Sequence, residues 1–435
     1  MQDTIRLMTL DPGHFHAALV QKRMYEQVSP VVSVFAPEGP DLDLHLRRIE
    51  AFNQRAEQPT SWRQQVHTGT DYLDAMLQQR PGNVVVVAGN SSRRPEYLQK
   101  SVQAGLHVLA DKPVCIDPPG WEVLAAACQE AQRQGLLVCD IMTQRHEITS
   151  IIARELVNNP DVFGALQRGT PEAPAVVKES VHHLYKHVSG QALIRPAWYF
   201  DVTQQGEGIV DVTTHLIDNT LWECFPDEAI DHAADVRMLH ARRWPTLVDR
   251  AQFAQVTGLP EFPAFLHGAL DAQGALPYFC NGEFTCTIRG VHARLWVAWD
   301  FVAPPGGDDT HVSVTRGTRS EVLIRQGEAQ GYRPEVYVEP AAGVSHADLG
   351  ASLDRASADL APRYPGLTTS PTHEGWQVHI PDVYRIGHEA HFGKVMEGYL
   401  DCLGRGALPE WEIPNLLTKY HMTTTALAMS KTGST

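Results

Sequence analysis

The sequence lacks any apolar run approaching the ~18 residues that a membrane-spanning helix needs. Residues 1–10 contain no basic segment followed by an apolar one, so we expect no secretory signal. Cysteine is scarce: there are 7, scattered along the chain and without a C-x-x-C pair. Such a set predicts reduced thiols in a cytoplasmic protein, not a disulfide framework or a zinc site.

Basic residues are also in short supply. Lys and Arg number 36 against 51 Asp and Glu, which gives a formal net charge of -15. Because this charge repels phosphate groups, nucleic acid and anionic membranes are not expected as partners. The 435 residues are 43% hydrophobic and include no long polar tract, which predicts a globular chain of two domains that binds a small molecule.

Strand-like and helix-like segments alternate in the first part of the chain. Apolar runs predict strands over 5–10, 31–36, 84–88, 107–110 and 136–141, and helical spacing predicts helices over 14–27, 71–79, 95–104 and 120–134. This alternation is typical of right-handed βαβ units in a parallel sheet. The predicted fold class is therefore α/β, with a doubly wound, dinucleotide-binding Rossmann domain over residues 1–145.

The pattern changes after about residue 145. Polar and apolar residues alternate over 176–183, 283–289, 293–301, 311–315 and 320–325, which predicts a large, mostly antiparallel sheet with one open face. We predict an α+β domain over 146–386, with an insertion near 341–375. Helical spacing returns over 387–435, and these helices are predicted to pack back on the Rossmann domain.

The first strand is followed by a turn that departs from the dinucleotide-binding pattern G-x-G-x-x-G. Its three positions hold Asp11, Gly13 and His16, so only the middle glycine, which lets backbone approach a pyrophosphate, is retained. Asp11 is alternatively a helix cap before Pro12. Glu38, after the second strand, is either the acid that binds the adenosine ribose, which favours NAD over NADP, or a solvated loop residue.

A lysine follows the strand predicted over 107–110, in the tripeptide Asp111-Lys112-Pro113. The carboxyl end of a parallel strand is where open α/β sheets bind ligands. A proline restricts the backbone of the residue before it, so the direction of the Lys112 amine is constrained. Such an amine can hold a substrate hydroxyl and stabilise negative charge on it, although a surface lysine in a turn has the same local pattern.

A second polar group lies on a helix predicted to begin at Ile209. Asp211, His215, Asp218 or Asn219, and Trp222 fall on one stripe of that helix. Histidine is the common general base near neutral pH, and a carboxylate one turn earlier can orient it. The alternative is a first-turn aspartate followed by a core histidine.

The order of these segments resembles the Gfo/Idh/MocA oxidoreductase family. The Asp111-Lys112-Pro113 tripeptide is similar to the family's E-K-P, and Asp211-x-x-x-His215 to its D-x-x-x-H. Residues 84–113 resemble the family's fourth-to-fifth-strand segment, and residues 398–417 its closing helices. The pattern differs at Asp11 and His16, in having aspartate for glutamate at 111, and in a longer C-terminal half.

The resemblance implies an NAD(P)-dependent oxidoreductase acting on a secondary hydroxyl of a sugar, glycoside or cyclic polyol. Lys112 would position the hydroxyl, His215 would take its proton, and Asp211 would fix His215 or a neighbouring hydroxyl. The predicted contacts with NAD, or alternatively NADP, are made by Asp11, Gly13, His14, Phe15, Glu38, Gly89, Asn90, Ser91, Asp111 and Lys112. The predicted contacts with substrate are made by Lys178, His182, Trp198, Tyr199 and Asp211.

Two other functions stay open at this point. One is glycoside cleavage by transient oxidation and elimination, with NAD regenerated in the cycle, and the other is a Rossmann relative that binds a sugar or nucleotide without chemistry. We assign no metal site, because a site near His182 and His183 lacks an identifiable third ligand. A homo-oligomer formed through the second-domain sheet is also expected from the resemblance.

Overall fold

The computed structural model describes residues 4–188 and 191–432, with the backbone alone at 187, 188 and 191. Two compact units account for the chain. The first comprises Met1–Thr143, Pro196–Gly206 and Gly387–Thr424, and the second comprises Gln144–Arg195, Glu207–Ile386 and Thr425–Thr435. The domain boundaries at 145 and 386 stay a prediction, because a compact unit is not necessarily a domain that folds alone.

A six-stranded parallel sheet forms the centre of the first unit, in the order β3-β2-β1-β4-β5-β6. Its strands are β1 (Leu7–Leu10), β2 (Val31–Ala36), β3 (Arg63–Thr68), β4 (Val84–Val87), β5 (His107–Ala110) and β6 (Val138–Asp140). The helices between them are α1 (His16–Leu19), α2 (Pro40–Gln54), α3 (Tyr72–Gln79), α4 (Arg94–Gln103) and α5 (Pro118–Gln134). This order confirms the predicted Rossmann fold.

Both faces of this sheet are covered. In β4, Val85 and Val87 pack with α3, α4 and α5, whereas Val84 and Val86 pack with α1 and α2 on the other face. Since successive side chains of a strand point to opposite faces, a run of four valines suits a strand buried on both.

Three local predictions in this unit are wrong or incomplete. The helix predicted over 14–27 is only the single turn of α1. The apolar residues beyond that turn pack into the core from backbone that is not helical. Helix α2 was missed, although Pro40 at its first position is a typical helix start. Strand β3 was missed because its sequence, RQQVHT, is polar and belongs to a sheet edge.

The second unit contains a nine-stranded sheet in the order β10-β11-β12-β7-β13-β14-β15-β17-β16, and a separate two-stranded sheet, β8-β9. The strands are β7 (Val176–Tyr185), β8 (His187–Val188), β9 (Gln191–Ala192), β10 (Val236–Val248), β11 (Leu276–Ile288), β12 (Val291–Val302), β13 (Thr310–Arg316), β14 (Ser320–Gln326), β15 (Glu335–Pro340), β16 (Thr368–Pro371) and β17 (Trp376–His379). The helices are α6 (Ile148–Val157), α7 (Thr213–Cys224), α8 (Arg250–Thr257) and α9 (His346–Leu360). Among the neighbours in the large sheet, β12 and β7 pair parallel and the rest antiparallel, so the predicted fold class is confirmed here also.

Two helices complete the chain, α10 (His388–Arg405) and α11 (Glu412–Thr432). Phe392, Met396 and Leu400 of α10 join the core on one face of the parallel sheet, and Leu416 and Tyr420 of α11 join the core on the other. Of the helices within 4–188 and 191–432, none combines the length and apolarity needed to cross a membrane.

Candidate active site

The first candidate site lies at the carboxyl edge of the parallel sheet. Strands β1 and β4 are neighbours there, and their chain connections run to opposite sides, which is where doubly wound sheets bind ligands. The loops that leave the two strands are tied together, because the His14 amide donates to the Ala88 carbonyl at 2.8 Å. The Asp11 amide donates to the Phe35 carbonyl of β2 at 2.9 Å.

Asp11 does not cap a helix, so that interpretation is wrong. Phe15 precedes α1, and no side chain caps the helix. Asp11 has a positive φ of 49°, and its carboxylate accepts a 2.8 Å hydrogen bond from the Tyr97 hydroxyl. Gly89 packs so closely that a Cβ there would overlap Asp11. Asp11 therefore packs the turn against α4 and against the loop that follows β4. Burial raises the pKa of its carboxyl.

Two histidines of this turn meet the aspartate at the end of β5. His14 Nδ1 lies 2.7 Å from Asp111 Oδ2, and His16 Nδ1 lies 2.9 Å from Asp111 Oδ1. The Arg94 guanidinium approaches the same carboxylate at 3.4 Å. Phe15 packs edge-on against both imidazoles.

Burial sets the protonation of this group. It lowers the pKa of His14, and it lowers that of His16 to about 3. Burial alone would raise the pKa of Asp111, but His16, Arg94 and His14 outweigh it, so the pKa of Asp111 lies well below its ordinary value. Near neutral pH two neutral imidazoles therefore face one carboxylate. Because an ionised carboxylate only accepts hydrogen bonds, each Nδ1 carries a proton that it donates to Asp111.

An acidic residue that the sequence analysis missed lies beside Gly13. Asp41, at the start of α2, accepts a 2.9 Å hydrogen bond from the indole nitrogen of Trp198. A Cβ on Gly13 would lie 3.2 Å from Asp41 Oδ2 and 3.3 Å from the Trp198 ring. Trp198 was predicted to contact substrate from the second domain, but it belongs to the first unit, as does the buried Tyr199. The helix-starting pair Pro40-Asp41 was the sequence signal available for this acid.

The other predicted cofactor contacts differ in their surroundings. Glu38 is exposed and only loosely contacted, by the Thr68 hydroxyl at 3.4 Å. The Asn90 amide donates to Gln204 Oε1 at 2.6 Å, and the buried Ser91 hydroxyl donates to Gln205 Oε1 at 3.4 Å. Asn90 and Ser91 thus connect the loop after β4 to the segment 196–206 within the first unit.

Lys112 directly follows Asp111 at the carboxyl end of β5. Its amide donates to Asp111 Oδ1 at 2.8 Å, and the Lys112–Pro113 peptide bond is cis. Its side chain is half-buried. Lys112 therefore lies at the carboxyl edge of the parallel sheet, and its role toward a ligand stays a prediction.

The second candidate group precedes and begins α7. This helix starts at Thr213, four residues later than predicted, so the buried Asp211 lies in the preceding turn. Within the turn, the Thr214 hydroxyl donates to the Asp211 carbonyl at 2.5 Å, and the His215 amide donates to the Val212 carbonyl at 3.0 Å. His215 is half-buried and lies in the first turn of the helix.

The remaining polar residues of the predicted stripe have structural partners. Arg145 forms two hydrogen bonds of 2.6 Å to the buried carboxylate of Asp218. The side-chain amide of Asn219 donates to Gln144 at 3.0 Å. These contacts attach α7 to the segment before α6. Asp218 and Asn219 of the predicted stripe therefore have a structural role, whereas Asp211 and His215 stay candidate site residues.

Lys178 is surrounded by partners rather than open to a ligand. The side chain is 1% exposed, and its ammonium lies 2.9 Å from both Glu223 Oε2 and the Ser313 hydroxyl. It joins β7 to α7 and β13. A structural ion pair accounts for this lysine, and a substrate role for it finds no support in these contacts.

His182 lies in a separate group around Asp309. The Asp309 carboxylate is 3.3 Å from His182 Nδ1, 3.0 Å from His183 Nδ1 and 2.6 Å from Lys186 Nζ. His182 also contacts the Ser180 hydroxyl through Nε2 at 2.8 Å. Both nitrogens of His182 are therefore occupied within the second unit.

Two family descriptions match the chain. Residues 41–139 match "Oxidoreductase family, NAD-binding Rossmann fold" of Gfo/Idh/MocA, and residues 152–431 match "Putative oxidoreductase C terminal domain". No curated protein shows significant sequence similarity to the chain.

Solved structures extend the similarity to the whole chain. A crystallised protein of Parabacteroides merdae, described as a putative oxidoreductase, is 48% identical over 99% of this chain and 98% of its own, with a TM-score of 0.97. A levoglucosan dehydrogenase solved with NADH is 11% identical over 98% of this chain and 97% of its own, with a TM-score of 0.61. A 3-ketoreductase from Actinomadura kijaniata solved with NADP and TDP-benzene is 14% identical over 99% and 98%, with a TM-score of 0.57. The last two show a shared fold.

The parallel sheet, the Asp-Lys-Pro turn and these matches lead to one assignment: the chain belongs to the Gfo/Idh/MocA family and is an NAD(P)-dependent oxidoreductase.

Proposed function

We propose that the protein transfers hydride between the nicotinamide cofactor and a secondary hydroxyl carbon of a sugar, glycoside or cyclic polyol. The observation that carries this proposal is Lys112 at the carboxyl end of β5, in the tripeptide that resembles the family's lysine motif. The fold shared with a levoglucosan dehydrogenase and a 3-ketoreductase favours a carbohydrate-like substrate.

The residues around Gly13 fit a dinucleotide. Because Gly13 has no side chain, Asp41 and Trp198 lie close to its backbone, where a Cβ would crowd them. A carboxylate beside this turn can accept hydrogen bonds from ribose hydroxyls. We therefore propose Asp41 in the role that the sequence analysis gave to Glu38, with Trp198 as an aromatic surface over the turn.

A bound NAD(P), held at the turn around Gly13 and Asp41, would supply the acceptor or donor of hydride for the substrate carbon. Lys112 binds the substrate hydroxyl with its ammonium and stabilises the negative charge that develops on the oxygen. His215 takes the hydroxyl proton on its imidazole, and Asp211 holds the imidazole or a neighbouring hydroxyl in place.

We also propose that the protein is a cytoplasmic homo-oligomer. All seven cysteines are free, in agreement with a reducing compartment. Trp296, Glu179 and Val312 lie side by side on neighbouring strands of the large sheet, and Val312 is 36% exposed. A sheet face with exposed apolar side chains suits association with a second copy.

The test of the proposed reaction is a substrate screen on the purified full chain. Glycosides, free sugars and cyclic polyols are each supplied with NAD or NADP, and formation of reduced nicotinamide is followed by absorbance. Substrate-dependent reduction by a member of this set is the expected result. Products are identified by mass spectrometry, where oxidation to a ketone removes two hydrogens.

Two other results of this screen contradict the proposal. Release of the aglycone from a glycoside without net reduction of the cofactor identifies cleavage by transient oxidation. Saturable binding of a sugar with neither product identifies a protein that binds without chemistry.

A further inference from the structure

The cluster of His14, His16 and Asp111 has the composition of a metal site. One potential ligand atom from each of the three side chains lies within 4.8 Å of the other two. Two imidazoles and one carboxylate form a set that binds first-row transition ions and leaves coordination positions open. We propose that these three residues bind one divalent transition-metal ion of the Zn²⁺, Fe²⁺ or Mn²⁺ class.

The geometry is close to that of a coordinated ion. The two nitrogen–oxygen separations are 2.7 and 2.9 Å. Ligand atoms at ~2.1 Å from a tetrahedral ion lie ~3.4 Å apart, so each imidazole nitrogen needs to move ~0.5–0.7 Å from the carboxylate oxygen that it now contacts. On binding, two N–H···O hydrogen bonds are replaced by coordinate bonds from Nδ1, and each imidazole proton moves to Nε2.

The scaffold holds the three ligands on two separate segments. His14 and His16 are two residues apart after β1, with His16 the first residue of α1, and Asp111 directly follows β5. Asp111 is 0% exposed and His16 8% exposed, so solvent does not compete freely for them. The His14 side chain is slightly more open, at 14% exposure. Metal sites commonly bring a short paired motif together with one distant residue, and this arrangement has that form.

Arg94 places a positive charge beside the Asp111 carboxylate. Its guanidinium donates to the carbonyls of Gly89, Asp111 and Pro113 at 3.0, 3.1 and 2.9 Å, whereas its contact with the Asp111 carboxylate is longer, 3.4 Å. The backbone bonds therefore fix Arg94, and the carboxylate can turn toward an ion without breaking them. A nearby positive charge favours an anionic or hydroxyl oxygen at the open position of the ion, which is the chemistry of a carboxylate, a phosphate or a sugar hydroxyl.

The test measures metal directly in the untagged full chain. Metal is removed with a chelator, the protein is titrated with Co²⁺, and visible d–d absorption is followed before displacement by Zn²⁺. Stoichiometric binding of one ion is expected, with a spectrum typical of nitrogen and oxygen ligands. Zn²⁺ affinity and bound metal are then compared in His16→Gln and Asp111→Asn, with folding checked by circular dichroism.

The variants give outcomes in both directions. Loss of a residue that merely orients a ligand costs ~10–100-fold in metal affinity, so loss of a ligand should cost at least ~100-fold. His391→Gln is the matched control, because His391 is also buried in the first unit but is outside the cluster. Absence of stoichiometric binding, or equal affinity in His16→Gln, Asp111→Asn and the control, overturns the proposal. NAD binding is measured separately, so failure here leaves the proposed reaction standing.

Discussion

At the scale of single residues, two departures from the family pattern explain each other. The third glycine of the dinucleotide pattern serves close packing of helix on sheet, and here His16 fills that position. Its imidazole lies 2.9 Å from Asp111, where the family has glutamate. Aspartate is shorter by one methylene, so it leaves room for the imidazole that a longer acid would displace.

The catalytic assignment predicts a loss of turnover without a loss of fold. His215→Ala removes the proposed base, and removal of a positioned acid–base group lowers turnover by ~10²–10⁴-fold. Lys112→Ala should have a similar effect, because charge on the substrate oxygen is no longer stabilised. Turnover and thermal midpoint are measured on the same preparations, with NADH affinity measured by fluorescence titration.

The alternative for His215 makes the opposite forecast. A core histidine replaced by alanine lowers the thermal midpoint and leaves the turnover of the folded enzyme nearly intact. That result would end the proposed mechanism. Asp211→Asn serves as the comparison, since a carboxylate that only orients a partner should cost less than loss of the base.

Buried histidines make stability depend on pH. His45 is 1% exposed, its ring nitrogens lack hydrogen-bond partners within 4–188 and 191–432, and burial lowers its pKa to about 3. Because the folded pKa lies below the unfolded value of ~6.5, the fold favours the neutral ring. The stabilisation that the fold gains from the neutral His45 ring is fully present above pH ~6.5. As the pH falls from there toward the folded pKa, the free energy of unfolding decreases by up to ~1.4 kcal/mol per pH unit.

His45→Leu should therefore flatten the pH dependence of the unfolding free energy. Urea unfolding at pH 7, 6 and 5 measures it, and the slope should fall by up to ~1.4 kcal/mol per pH unit. The exposed His240→Gln controls for loss of a histidine as such. An unchanged slope in His45→Leu would contradict the neutral, unpartnered state of this side chain.

At the scale of elements, helix α7 is fixed to the large sheet by a buried ion pair. Glu223, near its end, accepts from Lys178 of β7 at 2.9 Å and also from Thr315 of β13. The same helix carries His215 in its first turn. The pair therefore helps to set where the proposed base lies within the second unit.

Breaking this pair on one side should be costly. Lys178→Met leaves Glu223 buried without its countercharge, and such a loss typically costs ~3–5 kcal/mol of unfolding free energy. Adding Glu223→Gln removes the uncompensated charge and should recover part of the loss. Denaturant unfolding of the two single variants and the double variant measures the coupling, and strictly additive effects would contradict it.

At the scale of the whole molecule, the two sheets differ in what covers them. The parallel sheet is buried on both faces, whereas the large sheet carries a row of side chains, Arg242, Glu283, Trp296, Glu179 and Val312, across one face. Arg294 pairs with both glutamates of this row. Interfaces combine an apolar centre with a polar rim, and we propose that this row forms part of the contact with a second copy.

The oligomer proposal predicts that Val312→Arg lowers the molecular mass in solution. An arginine beside Glu179 is accommodated in the single chain, but an added cation on this face disfavours its burial against a second copy. Light scattering after size-exclusion chromatography measures the mass of the wild type and the variant. Val383→Arg is the control, since Val383 is 77% exposed outside the strands. A wild-type monomer, or an unchanged mass in Val312→Arg, would contradict the proposal.

Much of this architecture was predictable because its signals are local. A run of four valines determines a doubly buried strand, and alternation of strands and helices determines a parallel sheet. The Asp-Lys-Pro and D-x-x-x-H motifs are contiguous, so they are visible without a structure. The short α1 and polar β3 were not predictable in this way, because packing and a position at the sheet edge outweigh local periodicity there.

The sequence by itself determined the fold class, the family and the positions of Lys112, Asp211 and His215 in their motifs. Only the tertiary structure placed Asp41 and Trp198 beside Gly13, joined Lys178 to Glu223, and assembled His14 and His16 around Asp111. The reason is separation along the chain. Asp111 lies 95 residues from His16, and Trp198 lies 157 residues from Asp41, so pairing depends on strand order and not on any local pattern.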